Sequence, residues 1–332
     1  MRAILCKEHG PPERLVLEEV ESPSPGKGEV RIGVRACGVN FPDTLIIQGK
    51  YQFKPDLPFS PGSEISGEVL EVGAGVEGMS VGHRVLAVTG WGGFAEEVVT
   101  DAKRVLAMPD EMDDATGAAF AMAYGTSYHA LVQRGELRSG ETLLVIGASG
   151  GVGLAAVELG KVLGARVIAA GGSLVKLRAA KELGADEVIS YDDGNLKDQV
   201  KELTGGQGAD VIYDAVGGDA FDQAIRCINW KGRLLVVGFA SGRIPQLPVN
   251  LVLLKGCQVV GVFWGAFRER EAETSAKNFR ELFRLYVEGM IHPRVSATYP
   301  LERAADALNA LLAREVVGKI VLTTGLGSEG RA

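Results

Sequence analysis

The apolar run Leu143–Ile146 ends in Gly147 and then in Ala148-Ser149-Gly150-Gly151-Val152-Gly153, after which an apolar helical pattern begins. Aligned on its last glycine the turn reads A-x-G-x-x-G, and each small residue has a mechanical reason. Ala148 lets the strand end in a tight turn, and Gly150 lets backbone approach a pyrophosphate with no Cβ between them. Gly153 lets the following helix pack closely on the strand. The helix N-terminus then aims free N–H groups and partial positive charge at phosphate. Such glycine patterns recur by chance, but this one sits between a strand and a helix within about 30 residues, the setting a dinucleotide site requires.

The end of the next strand decides which dinucleotide. NAD sites place Asp or Glu there, on the ribose hydroxyls. This chain has Gly171-Gly172-Ser173 and then Lys176. With no acid to repel a 2′-phosphate, a hydroxyl and an ammonium can hold one, so the expected cofactor is NADPH. Lys176 alone is also at home as a solvated helix lysine; the missing acid is the stronger half of the argument.

The elements that must position these residues change character near residue 120. Before it, short β-branched runs such as EVRIGVRACGV, SGEVLEVGAGV and GHRVLAVTG are punctuated by Gly and Pro, which predicts an irregular all-β barrel or sandwich. From Asp113 to Arg134 the pattern is helical. From Glu141 strands and helices alternate. The expected strands are Thr142–Gly147, Arg166–Ala170, Glu187–Ser190, Val211–Ala215, Leu234–Gly238 and Val259–Phe263. The expected helices are Val152–Leu163, Leu174–Leu183, Leu196–Leu203 and Ala220–Ile228. Alternation of this kind implies right-handed crossovers and a doubly wound parallel sheet of Rossmann type, an α/β fold class. One long helical stretch follows Trp264, then a helix at Leu301–Ala313, a strand at Lys319–Thr323 and a tail, GLGSEGRA, expected to fray.

The 332 residues carry a formal charge of −7 and are 46% hydrophobic. A uniformly acidic surface repels phosphate backbones, so no nucleic-acid partner is expected. No apolar run has the length of a membrane span, and no leader pattern precedes the body. The four cysteines form no CxxC pair, which points to reduced thiols and a cytoplasmic setting.

On the dinucleotide segment, GVNFPDTLIIQGKY, PGSEISGEV, GGFAEEV and VFWGAF, the chain resembles the medium-chain dehydrogenase/reductase superfamily, specifically its zinc-free quinone oxidoreductase branch. The resemblance spans nearly the whole chain. It implies a GroES-like domain of residues 1–122 and 265–332 beside a Rossmann domain of residues 123–264. Zinc alcohol dehydrogenases place a Cys ligand where Asn40 stands and a His ligand where Ser63 stands, and an amide and a hydroxyl are poor zinc ligands. No metal is expected.

The resemblance also assigns residues. Asn40 and Asp43 match positions lining the nicotinamide and substrate cleft, and Tyr51 matches a cleft tyrosine. Asn40 is expected to position a carbonyl through its amide N–H, with Tyr51 as a polar or protic contact. Leu45 replaces a tyrosine common in relatives, which makes the pocket more apolar; Asp43 has a helix cap as its alternative role. Cofactor contacts carry over to Thr126, Tyr191, Gly238, Phe239, Phe263, Trp264, Arg314 and Lys319, with core packing as the rival role for Phe263 and Trp264. The implied chemistry is hydride transfer from NADPH to a quinone or conjugated enone, with no evident general acid. Two other readings stay open, an enoyl-CoA or 2-alkenal double-bond reductase and a non-catalytic NADPH-binding protein. By analogy with relatives that pair sheet edges, the apolar segment CQVVGVFW is expected to form a homodimer.

Overall fold

The computed structural model describes residues 1–192 and 194–326; beyond Leu326 the tail lies outside the described residues. The chain divides into two compact units, Met1–Met122 with Pro293–Ala332, and Ala123–His292.

In the first unit β1 (Arg2–Leu5) pairs antiparallel with β2 (Val16–Glu19). The chain continues through β3 (Glu29–Val39), β4 (Glu64–Val72), β5 (Arg84–Val88), β6 (Glu97–Asp101) and β7 (Val105–Ala107). At about 3.3 Å per residue, β3 is long enough to act as a spine. One edge pairs with β4 along nearly its whole length. Bulges between Arg31 and Ile32 and between Val34 and Ala36 bend this pair. Apolar residues of these strands, among them Val30, Ile32, Val34, Ile65 and Val85, meet in one core with Phe94 from the segment before β6.

The second unit is the parallel sheet that the alternation implies. Its strands are β8 (Thr142–Ile146), β9 (Arg166–Gly171), β10 (Glu187–Ser190), β11 (Ala209–Asp214), β12 (Ile228–Val236) and β13 (Gln258–Gly261). They lie in the order β10-β9-β8-β11-β12-β13, all parallel. The order reverses direction between β8 and β11, where open α/β sheets bind ligands beyond the carboxyl ends of their strands. The strands read as near-continuous apolar runs because helices cover the sheet, and Leu143–Ile146 are fully buried.

The chain then returns to the first unit as β14 (Val295–Pro300) and β15 (Lys319–Thr323). Strand β15 pairs antiparallel with the Ala36–Val39 end of β3, while β6 pairs with its Glu29–Gly33 end.

Three expectations change. Residues 265–292 pack in the second unit rather than the first, because Phe267 stacks on His129 at 3.8 Å and Asn278 exchanges hydrogen bonds with Gln133. The long helix after Trp264 is two helices, Trp264–Arg270 and Ala272–Val287, broken at Glu271. The helical stretch from Asp113 is Asp114–Ala118 and Ala121–Tyr128, then a π-helical turn at His129–Arg134. Among the described residues no helix is long and apolar enough to cross a membrane.

Candidate functional site

The glycine turn sits at the carboxyl end of β8, beside the switch point. The tight turn itself falls at Gly147, with φ +81°, one residue earlier than expected; Ala148 is fully buried. Gly150 caps the helix Gly151–Val162. A Cβ on Gly150 would meet nothing closer than the Gly147 oxygen at 3.5 Å, so this face is open for a ligand. A Cβ on Gly153 would sit 2.1 Å from the Gly147 oxygen, so glycine there is required by helix–strand packing. The first turn is pinned from behind. Ser127 Oγ donates to the Val152 carbonyl at 2.7 Å and lies 2.9 Å from the buried Tyr213 hydroxyl. The turn is thus a preformed cradle whose N–H groups suit a pyrophosphate.

Beyond β9, Ser173 precedes the helix Leu174–Glu182, but its hydroxyl does not cap it and stays available to a ligand. Tyr191 is brought alongside by its backbone N–H, which donates to the Gly171 carbonyl. One neighbour escaped the sequence reading. An Asp192 oxygen lies 2.8 Å from where a Gly172 Cβ would stand, so an acid does approach this position, from the end of the adjacent strand. A 2′-phosphate bound here would feel it across solvent. Asp192→Asn is therefore expected to tighten NADPH binding about two- to fivefold at low salt, an effect that fades at high salt. Fluorescence titration of NADPH and NADH against wild type and variant checks this; equal tightening of both cofactors would contradict it.

The other expected cofactor residues divide. Phe239 and Phe263 are exposed, and Thr126 is half-buried. Trp264 is buried against Gly125 and Phe279, with Arg268 over its ring, so its side chain packs the core and only its backbone remains for a ligand. Arg314 lies in the first unit, in a left-handed turn after the helix Ala304–Leu312. Lys319 moves out of the cofactor set. Its ammonium is buried in the first unit and donates to Asn40 Oδ1 at 2.6 Å, Glu64 Oε2 at 3.1 Å and the Val39 carbonyl at 3.4 Å, which uses all three N–H groups.

That ammonium is the centre of a polar cluster. Asn40 and Asp43 form a capping box on the helix Phe41–Ile46, with the Asn40 backbone N–H donating to Asp43 Oδ2 at 2.7 Å. The cap offered as Asp43's alternative role is therefore real. Asn40 Nδ2 donates to the Gly38 carbonyl and to Glu64 Oε2, so its amide does not present a donor outward as expected; it braces Glu64 and Lys319. Glu64 is wholly buried, and its other oxygen accepts the Met122 N–H. Tyr51 packs against the same core, edge-on to Phe53. Ser63 and Glu64, neighbours in PGSEISGEV, complete the cluster from the start of β4.

Burial pushes the Asp43 carboxyl up to about 7, against the downward pull of the Asn40 N–H and Lys319. Tyr51 is pushed up by burial and by Asp43. Between about pH 4 and pH 7 the folded chain holds the Asp43 proton and the unfolded chain has lost it. Stability therefore falls as pH rises through that window and levels off above it. Asp43→Asn should flatten this slope, as urea midpoints at about pH 5 and about pH 8 will show; an unchanged slope would remove Asp43 as its source.

The cluster does not fit a zinc ion. Its side chains are an amide, a hydroxyl and carboxylates, and Lys319 already supplies the fixed positive charge. Among the described residues no group of three or more His, Cys, Asp and Glu is placed to hold a metal.

Residues 26–110 match the model for the alcohol dehydrogenase GroES-like domain, and residues 151–281 match that for zinc-binding dehydrogenase. The chain is 43% identical to a quinone oxidoreductase-like protein 2 homolog from Nematostella vectensis, over 97% of this chain and 89% of that protein. Its fold superposes on the Escherichia coli quinone oxidoreductase complexed with NADPH with a TM-score of 0.91 and 30% identity, covering 97% of this chain and all of that one. An NAD-dependent alcohol dehydrogenase matches with a TM-score of 0.90 and 31% identity, over 98% of this chain and all of that one.

Proposed function

We propose, for a chain that belongs to the quinone oxidoreductase branch of the medium-chain dehydrogenase/reductase superfamily, that it is an NADPH-dependent, zinc-independent reductase of a quinone or related conjugated carbonyl. The observation that carries this is the preformed cradle at Gly147–Gly153, followed by a β9 that ends in Gly171-Gly172-Ser173 with no acid of its own. NADPH, when bound, supplies a hydride from its nicotinamide ring. The turn's backbone N–H groups hold the pyrophosphate, while Ser173 and Lys176 hold the 2′-phosphate. On the first unit, Tyr51 meets the acceptor, and the buried cluster of Asn40, Asp43, Glu64 and Lys319 braces that surface from behind. With Asn40, Glu64 and Lys319 bonded to one another, that face is rigid, as positioning requires.

Two measurements test the reading. Wild type should bind NADPH tighter than NADH, and Lys176→Ala should erase the difference; equal wild-type affinities would undo the cofactor assignment. Steady-state assays with 1,4-benzoquinone, a 2-alkenal and crotonyl-CoA then separate the acceptors. Turnover of crotonyl-CoA alone would favour an enoyl thioester reductase, and binding without NADPH oxidation would favour a non-catalytic protein. Full activity without stoichiometric zinc in elemental analysis is expected.

A homodimer through the edge of the second unit belongs to the same reading. Strand β13 is an open edge, and beside it Trp230 is 64% and Leu253 80% exposed, with Leu254 and Val249 also outward. Exposed apolar side chains beside an unpaired edge favour strand pairing with a second copy. A monomer by light scattering would contradict it. All four thiols are free and buried, which supports a reducing, cytoplasmic setting.

A further inference from the structure

Ser127 and Tyr213 join three elements of the second unit behind the glycine turn. Ser127 is fully buried on the helix Ala121–Tyr128. Tyr213 is fully buried on β11, at the switch point, where it pairs with Val145 of β8 on one side and Leu235 of β12 on the other. The phenol is therefore held from the middle of the sheet. Ser127 Oγ lies 2.7 Å from the Val152 carbonyl oxygen and 2.9 Å from the Tyr213 hydroxyl. A carbonyl only accepts, so the single Ser127 proton is committed to Val152, and the second contact needs the proton of Tyr213. Burial pushes the phenol up, against the pull of Ser127, so it keeps that proton. The direction is thus fixed: Tyr213 O–H donates to Ser127 Oγ, and Ser127 O–H donates to the Val152 carbonyl.

A buried helix serine can satisfy itself on a carbonyl of its own preceding turn. Ser127 instead reaches across to the first turn of the helix Gly151–Val162. Carbonyls there are not the groups a helix leaves open; its N–H groups are. The first backbone bond of that helix runs from the Leu154 N–H to the Gly150 carbonyl at 2.8 Å, so the N–H groups of Gly151, Val152 and Gly153 lie ahead of the ladder. The Val152 carbonyl shares its peptide with the Gly153 N–H. A hydrogen bond to a peptide oxygen draws electrons toward it and leaves the N–H of that peptide a stronger donor, and bonds in a chain reinforce one another.

We propose that Tyr213 and Ser127 are positioning residues that fix and polarise the Val152–Gly153 peptide, and so make the Gly153 N–H the foremost of the turn's donors to the cofactor pyrophosphate. This rests on the reading of the turn as the NADPH site. No proton leaves either hydroxyl; the pair sets the aim and strength of a backbone donor. Tyr124, three residues before Ser127 on the same helix, gives its hydroxyl to Glu158 and does not stand in for it.

The test uses Ser127→Ala, which removes both bonds, and Tyr213→Phe, which removes only the upstream one, in the full chain. Cofactor-free protein labelled with ¹³C at valine carbonyls and ¹⁵N at glycine gives one NMR signal for each valine–glycine pair, and the Val152–Gly153 signal is the one lost in Val152→Ile. Its carbonyl carbon and amide proton should both move upfield, further in Ser127→Ala than in Tyr213→Phe. Val72–Gly73, Val237–Gly238 and Val317–Gly318 should stay in place as internal references. NADPH affinity should fall about tenfold in Ser127→Ala and about two- to threefold in Tyr213→Phe. KM for NADPH should rise by the same factors with kcat unchanged. A merely loosened fold would move the reference signals and lower kcat as well, and that result would overturn the proposal. So would a wild-type Gly153 signal or wild-type NADPH affinity in Ser127→Ala. A wild-type chain that does not bind NADPH would instead defeat the reading of the turn, visibly and before any variant is made.

Discussion

Lys319→Met is expected to destabilise the first unit by about 3–5 kcal/mol, the cost of stranding a buried carboxylate when its partner is removed. Glu64 has no access to solvent, and Lys319 is the cation bonded to it. Methionine fills much of the lysine volume, so the loss reports charge rather than a cavity. Two controls separate these causes. Glu64→Gln with Lys319→Met removes both charges and should cost much less than the two single changes added together. Asp43, relieved of a cation that favours its ionised form, should hold its proton to still higher pH in Lys319→Met. Urea unfolding of the three variants measures the coupling. A Lys319→Met midpoint equal to wild type would remove the ion pair from the description of the site.

Gly153→Ala should be nearly as damaging, for a steric reason. The new Cβ would stand 2.1 Å from the Gly147 oxygen and 2.8 Å from the Ala148 Cα. Both are backbone atoms, so no rotamer change relieves the contact; the helix Gly151–Val162 must shift away from β8. Overpacking of this kind costs about 1–3 kcal/mol or more. The same shift spoils the aim of the N–H groups at the turn, so NADPH affinity should fall at least about tenfold. Gly150→Ala is the matching contrast. Its Cβ meets nothing within 3.5 Å of protein, so the chain should keep wild-type stability yet lose cofactor affinity, because the methyl stands where pyrophosphate approaches. Thermal melts and NADPH titration of the pair would read this out. If Gly150→Ala bound NADPH as wild type does, the cradle would not be the pyrophosphate site.

Much of the second unit was legible in the sequence because its information is local. A strand, a turn and a helix follow one another within about 30 residues, and each small residue acts on a neighbour a few positions away. Strand β10 and the helix Leu196–Leu203 fall where apolar periodicity puts them, and β15 likewise. Element ends were less legible. The helical signal after Trp264 is continuous in composition, yet the chain breaks at Glu271, between a helix that places Phe267 on His129 and one that buries Phe279 and Leu282.

By itself the sequence determined that a dinucleotide turn exists, that β9 ends without an acid, and that an amide and a hydroxyl stand where zinc ligands would. Tertiary structure decided what those residues do. Lys319 and Glu64 are 255 positions apart, and no periodicity predicts that β15 would bring an ammonium against the start of β4. That contact commits the Lys319 ammonium inside the first unit and turns Asn40 from an outward donor into a brace. Asp192 likewise reaches Gly172 only because parallel neighbours end at the same edge of the sheet. The physical reason is the same in each case. Backbone pattern is governed by neighbours in sequence, whereas the charge and hydrogen bonding of a buried group depend on every atom packed around it, wherever in the chain those atoms lie.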